Sequence, residues 1–418
     1  DDFESDPLGA RYRLKGNKMW ISTGEHDLTE NIVHLVLAKI PGPDGKTIPG
    51  TKGISLFIVP KQLVNSQGHK CGWRGTVNTL LNFGEGKYKV RGAGLDGQGS
   101  GAIGYLVGHP GEGLRCMFHM MNEARIGVGL AATMLGLAGY YASLEYARNR
   151  PQGRPMGPAG KDASQPPVRI IEHADIKRML LAQKAYGEGA LALGLYCARL
   201  VDEQHTGTPE QANEARLLLE VLTPIVKSWP SEWCLEANSL AIQIHGGYGY
   251  TRDFPVEQYW RDNRLNMIHE GTHGIQAMDL LGRKVLMEQG QGLKLLAARM
   301  QATALRARSC GPDLSRHADA LLSALEQVQQ TTQAAWQTEQ PVDALANAVP
   351  YMQAFGHTVL SWMWLDVAMA SDGASAADQG RRAACQFFYH YELPKIGAWL
   401  QVVANRDRTC ADVAEDAF

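Results

Sequence analysis

The stretch from Ile126 to Leu144 constrains the fold most strongly, because its 19 consecutive residues carry no charge. That is close to the length that spans a bilayer. Four glycines (Gly127, Gly129, Gly136, Gly139), Thr133, Ser143 and two tyrosines interrupt it, and no unbroken run of large aliphatics forms. Glu123 and Arg125 precede it and Glu145 follows it within one longer helical pattern. A helix apolar on all sides sits either in a membrane or at the centre of a bundle. These interruptions favour the bundle, and no membrane span is expected.

With 418 residues, 44% of them apolar and 20% charged, the chain can bury a core without disulfides or metal. The formal charge of −2 and the lack of a basic cluster argue against a nucleic-acid partner. The seven cysteines are scattered, odd in number and never spaced C-x-x-C. That points to a reducing compartment, the cytoplasm, and away from a disulfide framework or zinc knuckle. Neither H-E-x-x-H, a P-loop nor G-x-S-x-G occurs, so no metal site is expected. The chain opens on Asp1-Asp2 without a signal-peptide pattern, as a fragment or processed product would.

Residues 1–108 read as a β-rich domain. Short runs such as Lys18-Met19-Trp20-Ile21-Ser22, Ile32 to Ala38 and Ile54 to Val59 alternate with turns like Pro41-Gly42-Pro43-Asp44-Gly45. Glycine is dense from Gly84 to Gly113, which predicts loops. Helical spacing then takes over at 113–150, 170–205, 209–245 and 273–288, with a Pro/Gly-rich loop from Pro151 to Pro167. The 109–290 domain is followed by an Ala-rich helical extension over 291–418. The expected class is α+β, mostly α: a β-barrel-like domain, an up-down four-helix bundle and the extension.

Three constellations stand out. Glu270-Gly271-Thr272 precedes a helix for which Thr272 is a suitable N-cap, although a surface glutamate near a helix N-terminus is the commoner meaning of such a pattern. The glycines of His245-Gly246-Gly247-Tyr248-Gly249-Tyr250 suit close approach to an anion, but no strand precedes them, so they are not a dinucleotide fingerprint. Arg125 lies inside a nearly uncharged helix, where it needs a partner or a polar pocket. Arg150 ends the same helix, and the helix dipole alone accounts for it.

Taken in order, these pieces resemble the acyl-CoA dehydrogenase flavoprotein family. Gly16 to Ser22 looks like its W-I-T/S strand, and Gly53 to Pro60 like the strand that follows. Gly111-Glu112-Gly113-Leu114 with Asn122 to Arg125 resembles the entry to its bundle. Gln243 to Tyr250, and Arg261-Asp262 through Glu270-Gly271-Thr272, are the most specific matches. The resemblance covers about 10–70 and 105–288. Ile21 to Asp27 and the extension after 290 look like the 3-methylmercaptopropionyl-CoA dehydrogenase branch.

The resemblance implies FAD-dependent conversion of an acyl-CoA to a trans-2-enoyl-CoA by a bacterial cytoplasmic enzyme, with electron-transfer flavoprotein as acceptor. Glu270 would remove the α-proton, its pKa raised by burial against flavin and acyl chain. Arg125 and Gly271 would lie along the substrate. Trp20, Ile21, Ser22, Thr272 and Gly274 would meet the flavin. Arg150, Gln152, Gln243, Gly246 and Gly247 would hold the FAD of a neighbouring subunit, which implies a homodimer or homotetramer. An acyl-CoA oxidase, or a silent member serving in binding or assembly, is the alternative. Two departures from the family bear on this: its N-terminal helical domain and flavin loop do not precede Trp20, and Cys71 to Gly104 does not read like its strand segment. On that basis the chain alone is expected to bind FAD weakly. In some members the base directly precedes the helix arginine; here that position is Ala124, and Glu123 points away from the face of Arg125.

Overall fold

The computed structural model describes residues 10–24, 26, 28, 32–60, 71–76, 78–83, 101–158 and 160–418. The chain divides into two compact units, one up to Asn122 and one from Glu123 onward.

In the first unit, β1 (Arg11–Leu14), β3 (Val33–Lys39), β4 (Ile54–Pro60) and β6 (Ala102–Val107) form an antiparallel sheet in the order β1-β6-β4-β3. A second sheet pairs β2 (Gly16–Ser22) with β5 (Asn78–Phe83). Strands alternate their faces: Phe57 and Val59 of β4 turn inward while Ile58 between them is exposed. The inward residues Leu14, Val36, Phe57, Val59, Leu81, Phe83 and Ala102 come from both sheets and form one core. Burying each large aliphatic or aromatic side chain there contributes about 1.5–3 kcal/mol. Strands β5 and β6 lie in the segment that did not read like the family's strands. Most of the glycine-dense stretch expected to loop, at 84–100, falls outside the described residues, as do Glu25 and Asp27 of the branch motif.

The long apolar helix is α1 (Gly113–Asn149). By length and composition Met120–Asn149 could cross a membrane, but 56% of its most apolar window is buried. The glycines explain why. A Cβ on Gly129 would lie 1.8 Å from the Val226 carbonyl oxygen, and Gly136 and Gly139 face Cys234 and Asn238 in the same way. These contacts run in parallel register between α1 and α3 (Pro209–His245). Pro230 in α3 removes the N–H that would bond Val226 O, so that carbonyl turns toward the space left by Gly129. Met134 and Tyr141 mark the outer face of α1, 48% and 59% exposed.

Helix α2 (Ala174–Thr206) runs back to α3 through Thr208, whose hydroxyl accepts from the Gln211 N–H while the Gln211 side chain accepts from the Thr208 N–H. Short α4 (Val256–Asn263) and α5 (His273–Asp279) follow. Helix α6 (Met287–Ala307) is broken at its start by left-handed Glu288, Gln289 and Gly290, where the sequence places a glycine-rich punctuation.

The later helices share the bundle's core. Leu325 and Val328 of α7 (Pro312–Ala335) and, after the short α8 (Pro341–Leu345), Tyr351, Phe355 and Trp364 of α9 (Ala348–Ala370) are buried with Leu193, Leu218 and Leu222 of α2 and α3. Trp364 donates to Ala185 O at 3.0 Å, and Trp229 donates to His357 Nδ1 at 3.1 Å. Helix α9 therefore forms a second buried axis of the bundle. The fold is mostly helical α+β.

Candidate active site

Glu270 and Gly271 form the turn between a short 3-10 segment (Arg264–Met267) and α5. Both are left-handed, with φ of 55° and 91°. A non-glycine residue held there stores about 1–3 kcal/mol of strain, which its surroundings must enforce. Two buried side chains do so. Gln276 on α5 donates to Glu270 O at 3.0 Å, and Lys227 on α3 donates to Gly271 O at 2.8 Å. Both donors are 0% exposed. Among the described residues, the Glu270 N–H meets no backbone or side-chain acceptor.

Arg125 is 4% exposed and pairs with Asp279 of α5 at 3.3 Å; Arg283 approaches the same carboxylate at 2.8 Å. Burial lowers the Arg125 pKa, and the Asp279 and Glu270 charges oppose that shift. The partner that a buried arginine requires is thus present. Burial and the nearby Arg125 charge push Lys227 down to about 8, and Glu270 counters them. Arg125, Lys227 and Glu270 therefore act on one another electrostatically beside the middle of α3.

An asparagine network braces the segment leading into the turn. Asn263 donates to Ala132 O at 3.2 Å and to Asn238 Oδ1 at 2.7 Å. Asn266 donates to Asn263 at 2.9 Å, and Asn238 to Leu135 O at 2.8 Å. All three asparagines are fully buried, and they tie α1, α3 and α4 together. Each of the three amide groups donates within the network, although Asn266 Oδ1 accepts no bond, and linked buried bonds of this kind favour a single arrangement.

Thr272 takes the N-cap position of α5, but contrary to the sequence expectation its side chain makes no capping bond. It is exposed, and Gly274 has open space where a Cβ would stand. The motif around Gly246 lies elsewhere. Gln243 is 16 residues beyond Lys227 on α3, roughly 24 Å at 1.5 Å per residue. Gln243, Gly246 and Gly247 are exposed there. His245 is buried, stacked on Tyr146 at 4.4 Å, and donates to Ala241 O at 2.8 Å. Arg150 lies close by in sequence to Tyr146, at the end of α1. Its Nε is buried without a hydrogen-bond partner. Gln152 joins this region through its N–H to Val168 O at 2.8 Å and its carbonyl, which accepts from His173 at 2.7 Å.

In the first unit, Trp20 has φ 63° at a bulge between Lys18 and Ile21 and is 71% exposed. The bulge adds one residue to β2, so Met19 and Trp20 together stand opposite Leu80, and both are exposed. Thr79 donates to Ile21 O at 2.8 Å, fixing the strand on the far side of the bulge, and Ser22 is exposed. Among the described residues no cluster of three His, Cys, Asp or Glu side chains could hold a metal.

Sequence reasoning passed over Lys227, Gln276, Asp279 and the three asparagines. Lysine in an amphipathic helix usually marks a solvated face, and only the placement of α3 against the turn reveals otherwise. Gly271→Ala would put a Cβ 2.5 Å from Gln276 Nε2 at a positive φ. It is expected to cost about 1–3 kcal/mol, read as a fall in the thermal midpoint of several degrees.

The order of a β-rich unit followed by a helical unit is shared with solved acyl-CoA dehydrogenases, such as that of Bacillus anthracis complexed with FAD, at a TM-score of 0.69 and 19% identity over 99% of this chain and 66% of that one. The chain aligns with Caenorhabditis elegans ACDH-11, crystallised with C11-CoA, at a TM-score of 0.76 and 21% identity, over 97% of this chain and 64% of that one. Residues 111–286 match the family model described as acyl-CoA dehydrogenase, C-terminal domain, and 296–414 the one described as acetyl-CoA dehydrogenase C-terminal like. The chain is 37% identical over 387 residues to 3-methylmercaptopropionyl-CoA dehydrogenase of Ruegeria pomeroyi, covering 87% of this chain and 61% of that protein. It is 31% identical over 434 residues to butyryl-CoA dehydrogenase of Syntrophomonas wolfei, covering 100% of this chain and 70% of that protein. The chain belongs to the acyl-CoA dehydrogenase family, and it spans less than two thirds of the length of the Ruegeria relative.

Proposed function

We propose that this chain carries out FAD-dependent α,β-dehydrogenation of an acyl-CoA thioester to the trans-2-enoyl-CoA, with Glu270 as base. The observation that carries the reading is the Glu270 turn: a strained carboxylate position, clamped at both carbonyls from buried side chains, beside Arg125. Bound FAD supplies the acceptor for the hydride that leaves the β-carbon. The Glu270 carboxylate takes the α-proton. That C–H is weakly acidic, so charge building on the thioester oxygen needs donors. The unpaired Glu270 N–H supplies one without breaking an existing bond. Arg125 borders the reacting end of the substrate, and Gly271, with no side chain, leaves the channel open beside it.

The residues suit FAD. Exposed Trp20 offers an aromatic face, with Ile21 and Ser22 on the same strand. Thr272 and Gly274 leave the start of α5 uncrowded. The orphaned Arg150 Nε calls for an acceptor from outside the chain, and Gly246 and Gly247 are open to close approach. With Gln152 and Gln243 these residues belong to the end of the bundle away from Glu270. That separation supports their service to the FAD of a neighbouring subunit, in a homodimer or homotetramer. Arg150→Met is expected to lower FAD per chain several-fold without moving the thermal midpoint of the apoprotein, measured as the 450 nm absorbance ratio.

A short acyl chain fits the Ruegeria and Syntrophomonas relatives, and electron-transfer flavoprotein is the acceptor in this reading. A bacterial cytoplasm fits seven cysteines, none of which forms a disulfide. The test is anaerobic mixing of the FAD-loaded protein with butyryl-CoA. Bleaching of the flavin band together with formation of the enoyl-CoA is expected; a flavin band that persists would overturn the reading.

A further inference from the structure

We propose that Lys227 is the positioning residue of the Glu270 turn: its side chain, enclosed in α3 between Pro224 and Pro230, holds the Gly271 carbonyl and locks the backbone from which the Glu270 carboxylate projects. The inference rests on Glu270 being the base.

A lysine is almost never fully buried without a partner, yet Lys227 is 0% exposed. No carboxylate pairs with it among the described residues; its acceptor is a main-chain carbonyl 44 residues away in sequence, Gly271 O, at 2.8 Å. Its neighbours explain why an apolar residue would not serve. Helix α3 is opened around it by two prolines, and the Lys227 carbonyl is itself taken by the Ser231 hydroxyl at 2.5 Å. The flank of α3 that faces the turn is therefore fixed in place. A charge-assisted bond from that fixed point is about twice as strong as a neutral one.

The bond falls on a definite link of the chain. Gln276 restrains the peptide between Glu270 and Gly271, and Lys227 the peptide between Gly271 and Thr272. Together they fix the two peptide planes that follow the Glu270 Cα. Gln276 is on α5 and moves with the turn, whereas Lys227 anchors it to a different helix. The charges facing Lys227 are Arg125 from α1 and Glu270 from the turn. Asp279 on α5 neutralises Arg125, while Arg283 and Lys284, the latter paired with Glu220 of α3, add positive charge around it. In that setting burial, helped by the Arg125 charge, lowers the Lys227 pKa to about 8.

The experiment compares FAD-loaded wild type, Lys227→Met, Lys227→Arg and Glu270→Gln by anaerobic flavin bleaching with butyryl-CoA, from about pH 6 to about pH 10. A misplaced carboxylate is expected to slow Lys227→Met by about 100-fold at saturation, with unchanged FAD content and a half-saturation concentration within about three-fold of wild type. Lys227→Arg should recover to within about ten-fold of wild type, because it restores a cationic donor. The wild-type rate should fall several-fold across a limb near pH 8 that Lys227→Met lacks. A Lys227→Met enzyme with the wild-type rate, or with the limb intact, overturns the inference. So does a rate loss matched by equal loss of FAD. If Glu270→Gln bleaches at the wild-type rate, the assignment of the base fails instead, whatever Lys227 does.

Discussion

Glu270→Gln is expected to abolish reduction of the flavin by acyl-CoA while FAD content and thermal midpoint stay near wild type. General-base catalysis contributes about 10²–10⁴ in rate, and nothing in the turn offers a replacement carboxylate. The backbone of Glu270 would survive the change. Its left-handed conformation is imposed through the Glu270 and Gly271 carbonyls by Gln276 and Lys227, not through its own side chain. Glu123→Gln is the control, because Glu123 is exposed on α1 one residue before Ala124. Stopped-flow bleaching of both variants decides the matter. If Glu123→Gln stops the reaction and Glu270→Gln does not, the base lies on α1.

What the sequence could reveal depended on whether a residue's neighbours were local. Glu270-Gly271-Thr272 is a contiguous signal, and so are Trp20 to Ser22 on their strand. Helices α1, α2 and α3 were legible because their apolar periodicity outlasts the glycines of α1 and α2. Thr272 occupies the N-cap of α5, as its place in the motif suggests, but its side chain makes no capping bond. Lys227, Gln276 and the asparagines at 238, 263 and 266 were illegible because each earns its meaning from a partner many residues distant. Buried polar residues read as surface residues until the partner helix is known. The embedding of α9 was hidden similarly: an Ala-rich extension looks peripheral until Trp364 is seen to reach Ala185.

The glycines of α1 give the sharpest test of why this helix is buried in a bundle. Gly127 and Gly129 are two residues apart on the same helix, and helix propensity alone predicts the same gain on replacement by alanine, about 1 kcal/mol each. The structure separates them. Gly127 is exposed with nothing within 4 Å of a Cβ, so Gly127→Ala should stabilise the protein by about 0.5–1 kcal/mol. At Gly129 the added carbon would stand 1.8 Å from Val226 O and 2.9 Å from Val226 C, both backbone atoms of a proline-opened helix that cannot rotate away. Relief requires α1 and α3 to move apart. That loosens the Gly136 and Gly139 contacts and strains the bonds from Asn238 and Asn263 to the carbonyls of Leu135 and Ala132. Such coupled overpacking should cost about 3–5 kcal/mol, a fall in thermal midpoint of roughly 6–20 °C at 2–4 °C per kcal/mol for a unit of this size. Thermal unfolding of the two single variants measures the difference directly. Equal midpoints for Gly127→Ala and Gly129→Ala would mean that α1 and α3 are not in close backbone contact. The charge-free stretch would then need another explanation for its burial.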